Sequence, residues 1–295
     1  MRYHGKNIDT FENALSMLYR NSGYIPEKHA DCISGRAFVF KAEQNDLKNW
    51  LSSGVAVDDA VRKVAAYNNL LQETDIFYSI EDCCRAMEWG CFLGPVDILA
   101  QDDIQSFYYN GKRRYLYVCG QKDGIYAVHD PEGFPLRLYR KEELLQEYDL
   151  SQSIAVRMRS GGCQKKKALI ADVIRYQLIH RRSKENWDLE GDMGSWLYSG
   201  GGRKKDLALQ FGWNLYLHQI WKIVQILETE GLGAEVFCEK LEYMLEKLYG
   251  YVWKGNMLEI LLWRNNFWKC MEEAVGMDDK WGARGEGHDA GSNGQ

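Results

Sequence analysis

His129, Asp130 and Pro131 close the stretch RRYLYVCGQKDGIYAVHDPEG (113–133) and put an imidazole and a carboxylate side by side. A carboxylate on a strand is one part of a cysteine-hydrolase site. The other parts are a histidine that moves the proton and a thiol at a helix N-terminus, where free N–H groups and the helix dipole stabilise the thiolate. Thiols are plentiful: Cys32, Cys83, Cys84, Cys91, Cys119, Cys163, Cys238 and Cys270. None forms a CxxC pair and no histidines cluster beside them, so no zinc site, other metal or cofactor is expected. Cys32 in HADCISGRAF and Cys119 in YLYVCG are the thiols nearest in sequence, with His4 and His129 as bases. Adjacent strand residues point to opposite faces, so His129 and Asp130 do not easily serve one cleft. The plainer reading makes both thiols small buried hydrophobes. It makes Asp130-Pro131 an ordinary turn element. Cys32 with His129 remains the alternative thiol and base.

Two further features admit a chemical reading. SGGGRKK (199–205) opens a helix and could hold an anion on backbone N–H groups, but it lacks the Walker pattern and follows no strand, so a loop is the better reading. Trp213, Tyr216, Trp221, Trp253, Trp263 and Trp268 could line an apolar pocket; at helical spacing they read first as core.

These residues sit in a chain that mixes helix and strand in its first half. IDTFENALSMLYRNSGY (8–24) places Ile8, Phe11, Ala14, Leu15 and Leu18 at helical spacing, ended by Gly23 and Pro26. Asp9 or Thr10 can cap it, and Asp9 with Glu12 makes a capping-box-like pair. RAFVFKA (36–42) reads as a strand, GVAVDDAVRKVAAYNNLLQET (54–74) as an amphipathic helix, and IEDCCRAMEWG (80–90) as a helix stopped by Gly90. Four β-rich runs follow: GPVDILAQ (94–101), RRYLYVCGQ (113–121), GIYAVHDP (124–131) and SQSIAVRMR (151–159). Lys122-Asp123-Gly124 is a hairpin turn, and YRKEELLQEYD (139–149) is a helix before the last strand.

Beyond about residue 164 the strand signals stop. KKKALIADVIRYQLIHRRSK (165–184) and later periodic stretches, with Leu241, Met244, Leu245 and Leu248 at i, i+3, i+4 and i+7, predict a helical bundle. The expected organisation is an α+β domain over 1–160, an all-α domain over 164–277 and a disordered tail over 278–295, with the boundary at RSGGCQKKK (159–167).

A net charge of −5 argues against nucleic acid as the main partner, since phosphate binding needs a basic surface. No stretch approaches the roughly 18 apolar residues of a membrane span. No signal peptide follows Met1, so the expectation is reduced thiols in a cytoplasm.

The order of elements, a first helix and then an antiparallel sheet leading to Asp-Pro, resembles the papain-type fold of the bacteriocin-leader-peptidase-like superfamily. More closely, residues 1–160 resemble the N-terminal domain of the butirosin biosynthesis protein H family. There a Cys opens the first helix shortly before an Ala-Leu pair; here the stretch is TFENALSMLYRNSGY. The family's G-x-G-x-x-F segment is matched by ISGRAFVF, and its HxVVVxGxD…VxVxDP by RYLYVCGQKDGIYAVHDP. The proline-led strand GPVDILAQDDIQ also fits. The resemblance implies that Thr10 stands in the Cys position, Arg114 in the His position and Asp130 in the position of the orienting Asp. Only Asp130 matches. A Thr hydroxyl does not ionise on a helix dipole alone, and Arg114 stays protonated and cannot act as a base.

Three expectations follow. The first is a catalytically silent papain-fold protein that binds a peptide, an acyl-carrier protein or a biosynthetic partner, in bacterial specialised-metabolite or peptide production. The second is a working cysteine-dependent acyltransferase or hydrolase. The third is an interaction protein that works through its helical bundle.

Overall fold

The first helix forms where the periodicity places it. In the computed structural model, α1 spans Thr10–Asn21 and buries Phe11, Ala14, Leu15 and Leu18. The structure describes residues 10–36, 40–44, 49–53, 55–98, 114–130 and 136–180, with single helical positions between 226 and 273. Asp9, His4, the glycine-rich loop at 199–205, the aromatic series from Trp213 to Trp268 and the tail lie outside the described residues.

After α1 the chain turns at Gly23, which holds a left-handed φ of +84°. It enters α2 (Ala30–Ser34), a five-residue helix whose every side chain is buried. The entry is fixed by a buried carboxylate. Glu27 Oε1 accepts the N–H groups of Lys28 and His29 at 3.0 and 3.2 Å, and Oε2 accepts Asn68 Nδ2 at 3.1 Å. Two strands, β1 (Phe40–Gln44) and β2 (Asn49–Ser53), then pair with each other in a separate antiparallel sheet. β2 was not expected from the sequence.

α3 (Val57–Tyr67) is shorter than the helix expected over 54–74. It stops because Asn69 takes a left-handed φ of +58°, the Leu70 N–H returns to the Ala65 carbonyl, and the Asn68 side chain bonds the Val64 carbonyl. Asn tolerates that conformation better than most residues. The chain released beyond it forms β3 (Thr74–Phe77). α4 (Ile80–Trp89) is capped by Ser79, which accepts the Asp82 N–H at 3.0 Å. It ends at Gly90, where a Cβ would lie 3.1 Å from the Cys119 carbonyl oxygen.

The remaining elements are β4 (Cys91–Ile98), β5 (Arg114–Lys122), β6 (Ile125–His129), β7 (Arg137–Arg140), α5 (Lys141–Glu147), β8 (Tyr148–Asp149), β9 (Ile154–Met158) and α6 (Ile170–His180). They complete a seven-stranded antiparallel sheet of order β3-β9-β4-β5-β6-β7, with β8 paired to the end of β4. The β5–β6 hairpin turns on Asp123 and Gly124, both with positive φ, as a two-residue primed turn requires. Gly124 at φ +79° has nothing within 4 Å of a Cβ built on it, so Gly124→Ala tests backbone conformation alone. It is expected to cost about 1 kcal/mol in denaturant unfolding.

Strand alternation divides the sheet into two faces. Leu93, Leu116, Val118, Val128 and Ala155 join Cys83, Ala86 and Met87 of α4 in one core cluster. Phe92 and Tyr115 point the other way and meet Phe11 of α1 edge-on at 5.7 and 5.4 Å. The protein is a mixed α+β fold built on an antiparallel sheet. No helix among the described residues is long and apolar enough to cross a membrane.

Candidate functional site

Arg114 and Asp130, distant in sequence, meet at one end of β5, and Thr10 reaches the same strand at the Tyr115 amide. The β4–β5 ladder shifts register between Leu93 and Val96, where Gly94 and Pro95 stand. The Gly94 position has no room for a side chain: a Cβ would lie 2.7 Å from Tyr115 Cδ1 and 2.9 Å from the Arg114 carbonyl oxygen. At this interruption the Tyr115 N–H donates to Thr10 Oγ1 at 3.1 Å. Thr10 is itself helical, and its hydroxyl ties α1 to the sheet instead of only serving its own helix as a cap. Glu12 Oε1 accepts the Asp31 N–H at 3.1 Å, and its expected capping-box partner Asp9 lies outside the described residues.

Arg114, on the amide that Thr10 engages, donates from an Nη to Asp130 Oδ2 at 2.7 Å. The carboxylate is fully buried and the guanidinium nearly so. Asp130 also lies near Tyr148, whose phenol is pushed far above its ordinary value, first by burial and then by that carboxylate. The pair is a charge-assisted contact inside the protein.

His129 does not join Asp130. It pairs across the ladder with Tyr117, and the two rings stack at 6.4 Å and 25°. Burial holds its imidazole below the ordinary histidine value, so the ring is neutral near pH 7. The sequence expectation that neighbouring strand positions separate these two side chains is matched by their different partners.

The alternative thiols sit in environments that suppress ionisation. Cys32 lies in α2, fully buried, and its thiol is pushed well above the ordinary value by burial and then by the nearby Glu12 carboxylate. Cys119 is raised to about 11 by burial, and Cys83 to about 11 by the same cause. An activated cysteine needs the reverse, an electropositive and partly open setting. The described cysteines carry no disulfide, and among the described residues no group of three His, Cys, Asp or Glu side chains is placed to hold a metal.

A second ion pair beside the first was not read from the sequence. Arg36 Nε bonds Asp31 Oδ1 at 3.0 Å, and an Nη bonds the Tyr115 hydroxyl at 3.1 Å. Its guanidinium lies over the rings of Phe11 and Tyr115, at 4.3 and 5.1 Å from their centroids. Arginine is suited to such a place because its planar ion stacks and bonds at once. No family model matches this chain, and no curated protein does either.

Proposed function

We propose that the chain is a papain-type protein of the butirosin-H kind whose reactive groups have been replaced, and that it binds a peptide, an acyl-carrier protein or a biosynthetic partner without turning it over. The observation that carries this reading is the buried Arg114–Asp130 pair, at the end of β5 where Thr10 of α1 meets the Tyr115 amide. In the family it resembles, those three positions hold His, Asp and Cys. An arginine neither accepts a proton nor returns one at physiological pH, and its pairing occupies the carboxylate that would orient a histidine. The hydroxyl at Thr10 accepts a backbone N–H, and the two thiols nearest in sequence to the site are held in the neutral form. The helical stretch over 164–277, read as a second, all-α domain, supplies further surface for a partner.

Iodoacetamide labelling of the native protein across pH tests this. Near neutral pH no cysteine is expected to react faster than an exposed, ordinary thiol such as Cys163. The thiolate is the reacting form, so a raised pKa delays reaction: the Cys119 rate should climb through pH 9 and level only near its value of about 11. One cysteine reacting fast at pH 7, and losing that speed on His129→Ala, would sink the proposal in favour of a rebuilt cysteine enzyme.

A further inference from the structure

α2 is too short to be stable alone, since a five-residue helix barely completes its costly nucleus. All five of its side chains are nevertheless buried, so neighbouring elements hold it on every side. On the inner side lie the Asp31 contacts to Glu12 of α1 and to Arg36. On the outer side lies α6. Gln177 Nε2 donates to the Ile33 carbonyl at 3.2 Å, and the Gln177 amide packs on Gly35 so closely that a Cβ there would meet Oε1 at 2.8 Å.

α6 is itself strapped down by the segment before it. Gln164 clasps the Ile25 backbone from both sides, accepting its N–H at 2.7 Å and donating to its carbonyl at 2.9 Å. The Lys165 and Lys167 N–H groups bond the Asn68 and Tyr67 carbonyls at 3.0 and 2.9 Å. The Tyr67 hydroxyl bonds the Ala168 carbonyl at 3.0 Å. The stretch that reads as an interdomain linker in sequence is therefore bound across the ends of α1 and α3.

We propose that this strap and α6 form a latch that keeps α2 closed against the first turn of α1. Lifting α6 frees α2 to swing out, which exposes Cys32 and uncovers Glu12 and Asp31 while the sheet and its α4 core stay folded. The latch bonds α2 through Gln177, at the Ile33 carbonyl and against Gly35, while α3 packs on α2 from another side. Local openings of this kind draw on short elements that are not stable alone, and α2 is such an element. The proposal does not depend on the papain-type reading.

The test uses native full-length protein, iodoacetamide and peptide mass spectrometry, with Cys32 as the reporter. Gln177→Ala removes the side-chain bond to Ile33. Gly35→Ala strains a left-handed φ of +85° and pushes the Gln177 amide off its seat. Cys32 labelling is expected to accelerate about fivefold in the first variant and about tenfold in the second, as loss of one hydrogen bond and left-handed strain imply. Cys83 and Cys91, buried in the sheet core, should keep their wild-type rates. Unchanged Cys32 labelling in both variants would overturn the latch. So would a rise of Cys32, Cys83 and Cys91 together, because α2 would then open only when the sheet unfolds.

Discussion

Asp130→Ala, with Arg114 left in place, is expected to destabilise the fold by about 3–5 kcal/mol, measured as a fall in the urea midpoint at unchanged slope. The carboxylate is fully buried and its partner guanidinium almost so, at 2.7 Å. Removing one ion strands the other in a medium that solvates it poorly, and that penalty exceeds the net worth of the pair. The double replacement Arg114→Met with Asp130→Leu should recover most of the loss, because both ions leave together and the volume is refilled. A cost below about 1 kcal/mol for Asp130→Ala, the range of exposed pairs, would mean that water reaches the pair in solution. The double variant also separates two roles. If it folds but no longer holds a partner that the wild type holds, the pair serves recognition; if it does both, the pair serves packing.

Thr10→Cys combined with Arg114→His should produce a reactive thiol where none exists. The new sulfur would stand in the first turn of a twelve-residue helix that meets β5 at the Tyr115 amide, one residue along the strand from a histidine that Asp130 is placed to hold. A helix terminus and a neighbouring imidazolium lower a cysteine pKa toward 7 or below, which at pH 6 raises the thiolate fraction by well over tenfold. Part of that gain is lost because a less basic thiolate is a weaker nucleophile. Iodoacetamide labelling at pH 6 is therefore expected to run about tenfold faster at position 10 in the double variant than in Thr10→Cys alone, and to fall back when Asp130→Asn is added. Equal rates in the single and double variants would show that the side chain at 114 does not reach the residue at 10, and the parallel with a Cys-His-Asp site would fail.

The elements that a periodic pattern marks were legible in the sequence. α1 follows its apolar spacing, α4 runs from the Ser79 cap to Gly90, and the Asp123-Gly124 turn sits between two alternating runs. What escaped were short strands. β3 and β7 have four residues each, too few for alternation to register, and the helix pattern ran on through the Asn68-Asn69 stop. The approach of Arg114 to Asp130 was implied by the family resemblance and not by register, because the β5–β6 ladder shifts between Val118 and Gln121 and the turn alone does not set what lies opposite Arg114. The Glu27 and Arg36 contacts could not be projected. Each is a long charged side chain whose usual place is the surface, and only tertiary packing turns it inward. Gln164 and Gln177 carried no signal for the same reason: a side-chain amide that bonds a distant backbone leaves no periodic trace.

The place of β9 in the sheet has a consequence for the order of events during synthesis. It is the last of the described strands in sequence, yet it lies between β3 and β4 and is the bridge that joins them. Until Met158 has left the ribosome, β3 has no ladder partner in this sheet and β4 keeps an open edge. Contacts that span so much of the chain carry a loop-closure cost before they return any stability, which slows folding. From the emergence of β3 and β4 until β9 follows, the nascent chain thus displays unpaired strand edges, the interval in which a chaperone that covers extended backbone has most to do.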